Sequence, residues 1–353
     1  MNRIYFLTID KLNYFLERLK DKYSVFSPVV KTQNYTGEVD YSFDKLPSGT
    51  ALVFNPYRCV EPLKSFFTLS KEKVAEYFHT QDNLRDLGKV IICGVKSCDI
   101  VAHRIQDFVF LEGVAEDSLY RARRENTIFI SSDCTAYKEV CFCLALEILP
   151  HPTEGFDINL SPLNDGYLVE VGSEKGKNLI NEYSDYFIPA KDTQISARQA
   201  KRNNLIARLK RDLAPKKIPP KSILQRLIKE GYGLDTWQQF MSTCVECGGC
   251  NLICDTCHCF LLEDRKDSGV NEKIKMWDSC LYANYARVAG GANPNKTRSQ
   301  RLRFRFTKKF DFFVENLKMP ACCGCGRCIE VCPGKIDIRE ILKDLAKKLN
   351  LAQ

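Results

Sequence analysis

Residues 244–254 read CVECGGCNLIC and residues 322–333 read CCGCGRCIEVCP, two copies of one ladder with spacing Cys-x2-Cys-x2-Cys-x3-Cys. Three thiolates two residues apart on a Gly-bearing loop can wrap three irons of one cube, while the fourth leaves on the following helix and reaches a second cube. The spacing therefore predicts crossed ligation of two [4Fe-4S] clusters. One would take Cys244, Cys247, Cys250 and Cys332, and the other Cys322, Cys325, Cys328 and Cys254. The second ladder closes with Cys332-Pro333, whereas the first runs into Cys254-Asp255 without the proline. Structural zinc is the rival occupant of one such ladder. Two complete ladders point to iron–sulfur, and so to electron transfer.

Composition sets the frame around the ladders. A chain of 353 residues can hold two or three domains with a sizeable core. Its 18 cysteines exceed ordinary usage, and in a secreted protein they would suggest disulfides. The opening stretch is broken by Asp10, Lys11, Asn13, Glu17, Arg18 and Lys20 and lacks an apolar signal core. No run reaches the ~18 apolar residues of a membrane span. Reduced, metal-ligating thiols in a cytoplasmic protein are expected. The formal charge of +8 invites a nucleic-acid reading. A four-thiolate cube carries roughly −2, so buried clusters offset much of that excess, and no nucleic-acid partner is expected.

Along the chain, Asp10 is expected to cap a helix running to Tyr23, with Leu12, Phe15, Leu16 and Leu19 as its apolar stripe. Ala51–Phe54, Val90–Val95 and Thr127–Ser131 read as strands, and the second leads into a helical pattern over Asp99–Leu111. Phe156–Leu163 and Tyr167–Val171 alternate as a hairpin across Asn164-Asp165-Gly166. These elements predict an α/β or α+β domain over residues 1–190. Residues 191–237 form a basic helical linker broken by Pro215, Pro219 and Pro220. Its charges suit a solvated face or, in a sharper reading, a strip for an acidic partner. Residues 238–353 predict a mainly helical, ferredoxin-like two-cluster domain with an insertion over 257–320. It ends in an amphipathic helix bearing Ile338, Ile341, Leu342, Leu345 and Leu349. Arg301-Leu-Arg303-Phe-Arg305-Phe306 alternates like an edge strand, and its basic face suits cluster charge compensation or a subunit contact better than RNA stacking.

Ten cysteines lie outside the ladders. Cys98 follows the Val90–Val95 strand, Cys134 follows Thr127–Ser131, and Cys141 and Cys143 sit in the next loop. Ligands gather at the carboxyl ends of strands in open α/β sheets, so these four predict a third [4Fe-4S] cluster if the two strands are neighbours. Buried cysteine is also a common small core residue, which fits Cys93 and Cys59 better than Cys141-Phe142-Cys143. Cys257, Cys259 and Cys280 could replace Cys254 as a ligand, tune a cluster by S–H hydrogen bonds, or merely pack. Cys323 is out of register with the ladder. His79, His103, His151 and His258 lack ligand partners at helical spacing. No dinucleotide fingerprint or Walker A loop is present, and Gly172-Ser-Glu-Lys-Gly176-Lys177 has the wrong spacing.

Further segments carry a family resemblance. GVKSCD (94–99), YRARRENT (120–127), Cys141-Phe142-Cys143 and GYLVEVGSEKG (166–176) match one half of it, and TCHCF (256–260), WDSC (277–280), AGG (289–291) and the second ladder match the other. The chain resembles the iron–sulfur relay subunit of anaerobic sulfite reductases and the beta subunit of soluble sulfhydrogenases, over all but about the first 50 residues and the basic linker. The resemblance implies a non-catalytic relay between a flavoprotein subunit that handles NAD(P)H and a catalytic subunit of sirohaem sulfite reductase or nickel–iron hydrogenase type. It also implies the twelve ligands named above. Ser97 and Asp255 stand where the family usually has proline.

A rival of the enzyme class is a reductase acting on a sulfur substrate at an exposed cluster or at Cys257, Cys259 and Cys280. A rival of the binding class is a zinc-stabilised nucleic-acid-binding protein, which would be colourless where an iron–sulfur protein is brown. The missing nucleotide fingerprint predicts that NADPH alone leaves the visible absorption of the flavin-free chain unchanged, and that adding a flavoprotein partner bleaches it. Rapid bleaching by NADPH alone would overturn this.

Overall fold

The computed structural model describes residues 4–33, 38–49, 52, 54–77, 88–267 and 269–351. The chain begins with β1 (Ile4–Thr8) and α1 (Ile9–Leu19), then β2 (Ser24–Gln33), β3 (Val39–Lys45) and β4 (Lys71–Glu76). A βα unit follows: β5 (Val90–Val95), α2 (Ser97–Leu111), α3 (Ser118–Glu125) and β6 (Thr127–Ser132). The expected hairpin forms as β7 (Ile158–Pro162) and β8 (Gly166–Val171), and α4 (Glu174–Glu182) and β9 (Ile188–Pro189) complete this half. Among the described residues the sheet order is β3-β2-β5-β6-β7-β8-β1-β9, with parallel pairing from β2 through β7 and antiparallel pairing at both flanks.

Strand periodicity divides the apolar residues between two faces. Ile91, Cys93, Ile128 and Ile130 pack with Leu12, Leu16, Leu179 and Ile180 on the α1/α4 side. Ile92, Val95 and Phe129 pack with Ile100, Phe110 and Tyr120 on the α2/α3 side. The result is an α/β sandwich in which Cys93 is a core residue. Thr8, rather than Asp10, caps α1, its Oγ1 accepting from the Lys11 amide at 3.4 Å. Asp10 lies in the first turn, where a carboxylate suits the positive helix end. The helix stops at Leu19, short of Tyr23. The expected strand at 51–54 falls partly outside the described residues, and Leu52 and Phe54 are neither strand nor helix. His79 lies outside them.

The basic segment forms α5 (Asp192–Leu213) and α6 (Lys221–Glu230), separated by the prolines. Several of its charges face inward: Arg202 reaches Asp133 at 2.7 Å and Arg198 reaches Glu170 at 3.1 Å. After α7 (Thr236–Met241) and α8 (Gly249–Leu252), the insertion folds into β10 (Phe260–Asp267) and β11 (Val270–Trp277). There follow α9 (Arg298–Thr307), a π-helical turn at Lys308–Phe312, α10 (Phe313–Leu317), α11 (Arg327–Glu330) and α12 (Ile338–Lys348). A helical core joins Leu224 and Leu227, Trp237 and Met241, Leu302 and Phe306, and the apolar face of α12. Phe142 and Leu146, from the loop between β6 and β7, enter this core.

The expected edge strand at 301–306 is helix α9. Thr297 and Gln300 form a capping box that starts it, and Leu302, Phe306 and Phe310 continue a four-residue stripe into the core. Within that alternation Arg301, Leu302, Arg305 and Phe306 form one broad buried stripe of the helix, while Arg303 and Phe304 are half-buried on its other side.

The β10–β11 hairpin adds to β4 in a three-stranded sheet, tying the insertion to residues 71–76. Lys275 locks this seam. Its side chain is 4% exposed and reaches Glu72 at 2.8 Å and Asp117 at 2.5 Å, and Arg123 meets Glu72 at 2.8 Å. No described helix is long and apolar enough to cross a membrane. Lys275→Met leaves Asp117 and part of the Glu72 charge uncompensated, so it is expected to cost about 3–5 kcal/mol. Urea unfolding and faster amide exchange across residues 260–277 report it. Lys275→Met stability equal to that of the unchanged chain would refute the role of the seam.

Candidate metal centres

The two ladders repeat each other in backbone as well as sequence. Glu246 and Gly248 have φ of 59° and 71°, and Gly324 and Gly326, at matching positions, have 65° and 74°. Gly248 and Gly326 each open a one-turn helix, α8 and α11. These left-handed residues coil each loop tightly, and in the first ladder Cys244, Cys247 and Cys250 face a common cavity. At Gly326 an added Cβ would sit 2.5 Å from the Val140 carbonyl oxygen.

Cys244, Cys247, Cys250 and Cys332 line one cavity, with Cys328 at its wall and Arg305, Leu302 and Phe306 behind. Cys254 sits on the other side, against the second ladder. Burial pushes the Cys322 thiol up to about 11 and Cys328 to about 12, with the charge of Cys254 adding to both and Lys309 and Arg305 opposing. Cys98, Cys134, Cys141 and Cys143 line a second cavity, with Arg58, Tyr137, Gly324 and Cys325. This convergence follows from the sheet, because β5 and β6 pair directly from Val90↔Thr127 to Val95↔Ser131. The Phe142 amide donates to the Gly324 carbonyl at 2.8 Å, drawing Cys141 and Cys143 onto the second ladder. Cys325 and Cys328 thus each touch a neighbouring cavity, and the second ladder lies between the other two groups.

All 18 cysteines are free thiols, and burial raises those of the N-terminal group, Cys134 to about 12. Protonated thiols packed this closely become thiolates when a metal binds, since a coordinating thiol is deprotonated outright. The surroundings suit an anionic, sulfur-rich guest. Arg58 is 2% exposed, donates through Nε to the Cys325 carbonyl at 2.7 Å and pairs with Glu330, yet its buried Nη1 has no partner. Arg58 lines the N-terminal cavity, so that unpaired donor matches a cluster sulfide or thiolate. Buried Lys96 flanks the same thiols, donating to Ser132 Oγ at 2.7 Å and the Asp133 carbonyl at 3.1 Å. At the ladders, Lys309 Nζ reaches Cys254 Sγ at 3.5 Å and Thr256 Oγ1 at 2.7 Å. Burial alone would lower the Lys309 pKa, but Cys254 and Cys257 hold it high. Its π-helical turn aims it there, a local distortion common at functional sites.

Asp255 explains why the first ladder lacks its proline. It accepts from the Lys64 amide at 2.8 Å and pairs with Arg327 at 3.1 Å, and Arg327 also meets Asp99 at 2.7 Å and the Cys59 and Val60 carbonyls. Burial raises Asp255 to about 8, against the pull of Arg327. A proline could make none of these side-chain contacts. Ser97, the other departure, opens α2 beside Cys98 at the cavity wall.

Of the buried cations, Arg301 and Arg305 are legible in the sequence as charge compensation for a cluster, though on an edge strand rather than a helix. Arg301, Arg305 and Lys309 recur every four residues, which marks one helix face. Arg58 carried no pattern. Cys59 is a buried core residue, and Cys323 donates to Cys325 from within the fold. Cys257 donates to Asn251 Oδ1 at 3.6 Å and to Cys254. His103 meets the Tyr120 hydroxyl at 3.1 Å and His258 the Thr256 carbonyl at 3.2 Å. Among the described residues no three His, Cys, Asp or Glu side chains are arranged around a single metal ion.

Comparison with known proteins agrees with this architecture. The 4Fe-4S dicluster domain family matches residues 243–336. Sulfhydrogenase 2 subunit beta of Pyrococcus furiosus is 31% identical over 338 residues, covering 95% of this chain and 96% of that protein.

Gly324 joins the second ladder to the N-terminal group, and a Cβ there would lie 2.6 Å from the Cys143 backbone. Gly324→Ala, strained at φ 65° as well, is expected to force the Cys141–Cys143 loop away and lower bound iron after anaerobic reconstitution. Gly290→Ala, where a Cβ meets nothing within 4 Å, serves as the control. Unchanged iron in Gly324→Ala would refute the tight apposition.

Proposed function

The chain belongs to the sulfhydrogenase beta-subunit family, and from that premise we propose that it is a three-centre relay within a cytoplasmic redox complex. It is an iron–sulfur electron-transfer subunit with a [4Fe-4S] dicluster domain. The proposal adds the ligand sets, the third centre and the partners. Crossed ligation assigns Cys244, Cys247, Cys250 and Cys332 to one ladder centre and Cys322, Cys325, Cys328 and Cys254 to the other. Cys98, Cys134, Cys141 and Cys143 hold the N-terminal centre. One partner is a flavoprotein that handles NAD(P)H, and the other is a catalytic subunit of nickel–iron hydrogenase or sirohaem sulfite reductase type.

A bound [4Fe-4S] cube supplies reversible one-electron storage. The chain's own residues set its surroundings. Arg58, Lys96, Arg305 and Lys309 place buried positive charge beside the thiolates, which favours the more negative, reduced state. Leu302, Phe306 and Ile341 exclude water from the first-ladder cavity. The second ladder lies between the two cavities, with Cys325 lining one and Cys328 the other, and this supports stepwise passage from centre to centre.

The observation that carries the third centre is the convergence of four cysteines on one cavity that is also lined by Arg58, whose buried Nη1 has no partner. Anaerobic iron and sulfide analysis is expected to give about twelve irons per chain, falling to about eight in Cys141→Ser/Cys143→Ser. If the fully reconstituted chain holds about eight, the four N-terminal cysteines are structural.

A further inference from the structure

Three pairs of cysteines lie close enough to interact near the ladders, and two of them include a proposed ligand: Cys257 with Cys254, and Cys323 with Cys325. The third, Cys280 with Cys259, includes none. Cys280 adjoins the Cys259 sulfur, to which the Tyr285 hydroxyl donates at 3.4 Å. On its far side Cys280 accepts from Asn251 Nδ2 at 3.1 Å.

The setting is polar where a packed cysteine would be surrounded by apolar atoms. Asn251 also donates to Ser279 Oγ at 2.9 Å and accepts at Oδ1 from Arg305 Nε at 2.7 Å. Asn251 adjoins Cys250, and Arg305 lines the first-ladder cavity. A continuous hydrogen-bonded path therefore runs from Cys280 to that centre. The hairpin fixes the pair: the Phe260↔Trp277 rung is extended by the Asp278 amide donating to the Cys259 carbonyl at 2.9 Å. Cys259 is partly exposed, while Cys280 is buried.

We propose that Cys259 and Cys280 form a reversible dithiol–disulfide couple that exchanges two electrons with the ladder-bound iron–sulfur centres. This rests on the ladders being iron–sulfur sites. In the oxidising direction the Cys259 thiolate and the Cys280 thiol form one S–S bond and release the Cys280 proton. The two electrons go singly to two oxidised [4Fe-4S] centres, which are reduced. Reversal restores the thiolate and the thiol. The neighbouring Cys280 and the Tyr285 hydroxyl lower the pKa of Cys259, which favours the thiolate on that member of the pair. The couple gives a chain of one-electron carriers a two-electron store at the edge of its first-ladder centre.

The test uses the full chain, reconstituted anaerobically with iron and sulfide. After oxidation with thionin, denaturing alkylation and peptide mapping are expected to find one linked peptide joining Cys259 to Cys280, and dithionite removes the link. Reductive titration of the unchanged chain is expected to consume two more electrons than Cys280→Ser at equal iron content. Absence of the linked peptide, with equal electron uptake in both proteins, overturns the couple. Loss of iron from Cys280→Ser or Cys259→Ser overturns it too, because the pair would then be ligands. The linked peptide is read in the unchanged chain and needs no variant to fold. Iron below about eight in the unchanged chain refutes the ladder centres separately.

Discussion

The buried guanidinium of Arg327 holds the molecule's parts in register. It belongs to the second ladder by sequence, between Cys325 and Cys328, yet it pairs with Asp99 of α2 and Asp255 of the first ladder. Its other donors satisfy carbonyls of residues 59–61. One planar cation thus joins the start of the α2 helix, a core loop and both ladders. Such a network gains stability only when every group is satisfied, and loss of one partner leaves charge stranded in low dielectric. Arg suits this position because its five donors lie in a fixed plane and it stays charged when buried.

The same logic extends to the other interior cations. Arg58, Lys64, Lys96, Arg305 and Lys309 are all buried beside cysteine-bearing loops. Burying so many cations is costly unless negative charge lies near. In the proposed relay, iron–sulfur cubes with four thiolates would supply it, and the formal excess of +8 fits a basic complement that is partly internal. The ion pairs that Arg198 and Arg202 make with Glu170 and Asp133 likewise turn part of the basic linker inward.

The halves of the chain are bound by more than charge. The hairpin of the insertion completes a sheet with β4, and Phe142 of the N-terminal loop enters the C-terminal helical core. Through Phe142, the loop that presents Cys141 and Cys143 is fixed by packing rather than by the sheet alone. Arg58 reinforces the junction by gripping the Cys325 carbonyl from the N-terminal side. Rigid placement of this kind matters for a relay, because the separation and environment of the carriers are set before any electron arrives.

The sequence by itself determined the ladders, the β5–α2 unit, the β7–β8 hairpin, the basic helices and the terminal amphipathic helix. Each of these is encoded locally, by ligand spacing, by period-2 or period-3.6 apolar patterning, or by turn chemistry. The same reading named Cys98, Cys134, Cys141 and Cys143 as a group, because strand ends are visible in sequence. Only the tertiary structure decided that β5 and β6 are neighbours, since pairing partners are chosen by the whole sheet and not by either strand. It alone turned Arg301–Phe306 from an alternating strand pattern into a helix that buries Arg301 and Arg305 beside Leu302 and Phe306, where burial of arginine needs distant carbonyls and Asn251 to accept its hydrogen bonds. It alone showed why Asp255 replaces proline, because the partners of its carboxylate lie 72 and 191 residues away in the chain. Long-range charge pairing leaves no periodic trace in sequence, and that is what the fold supplied.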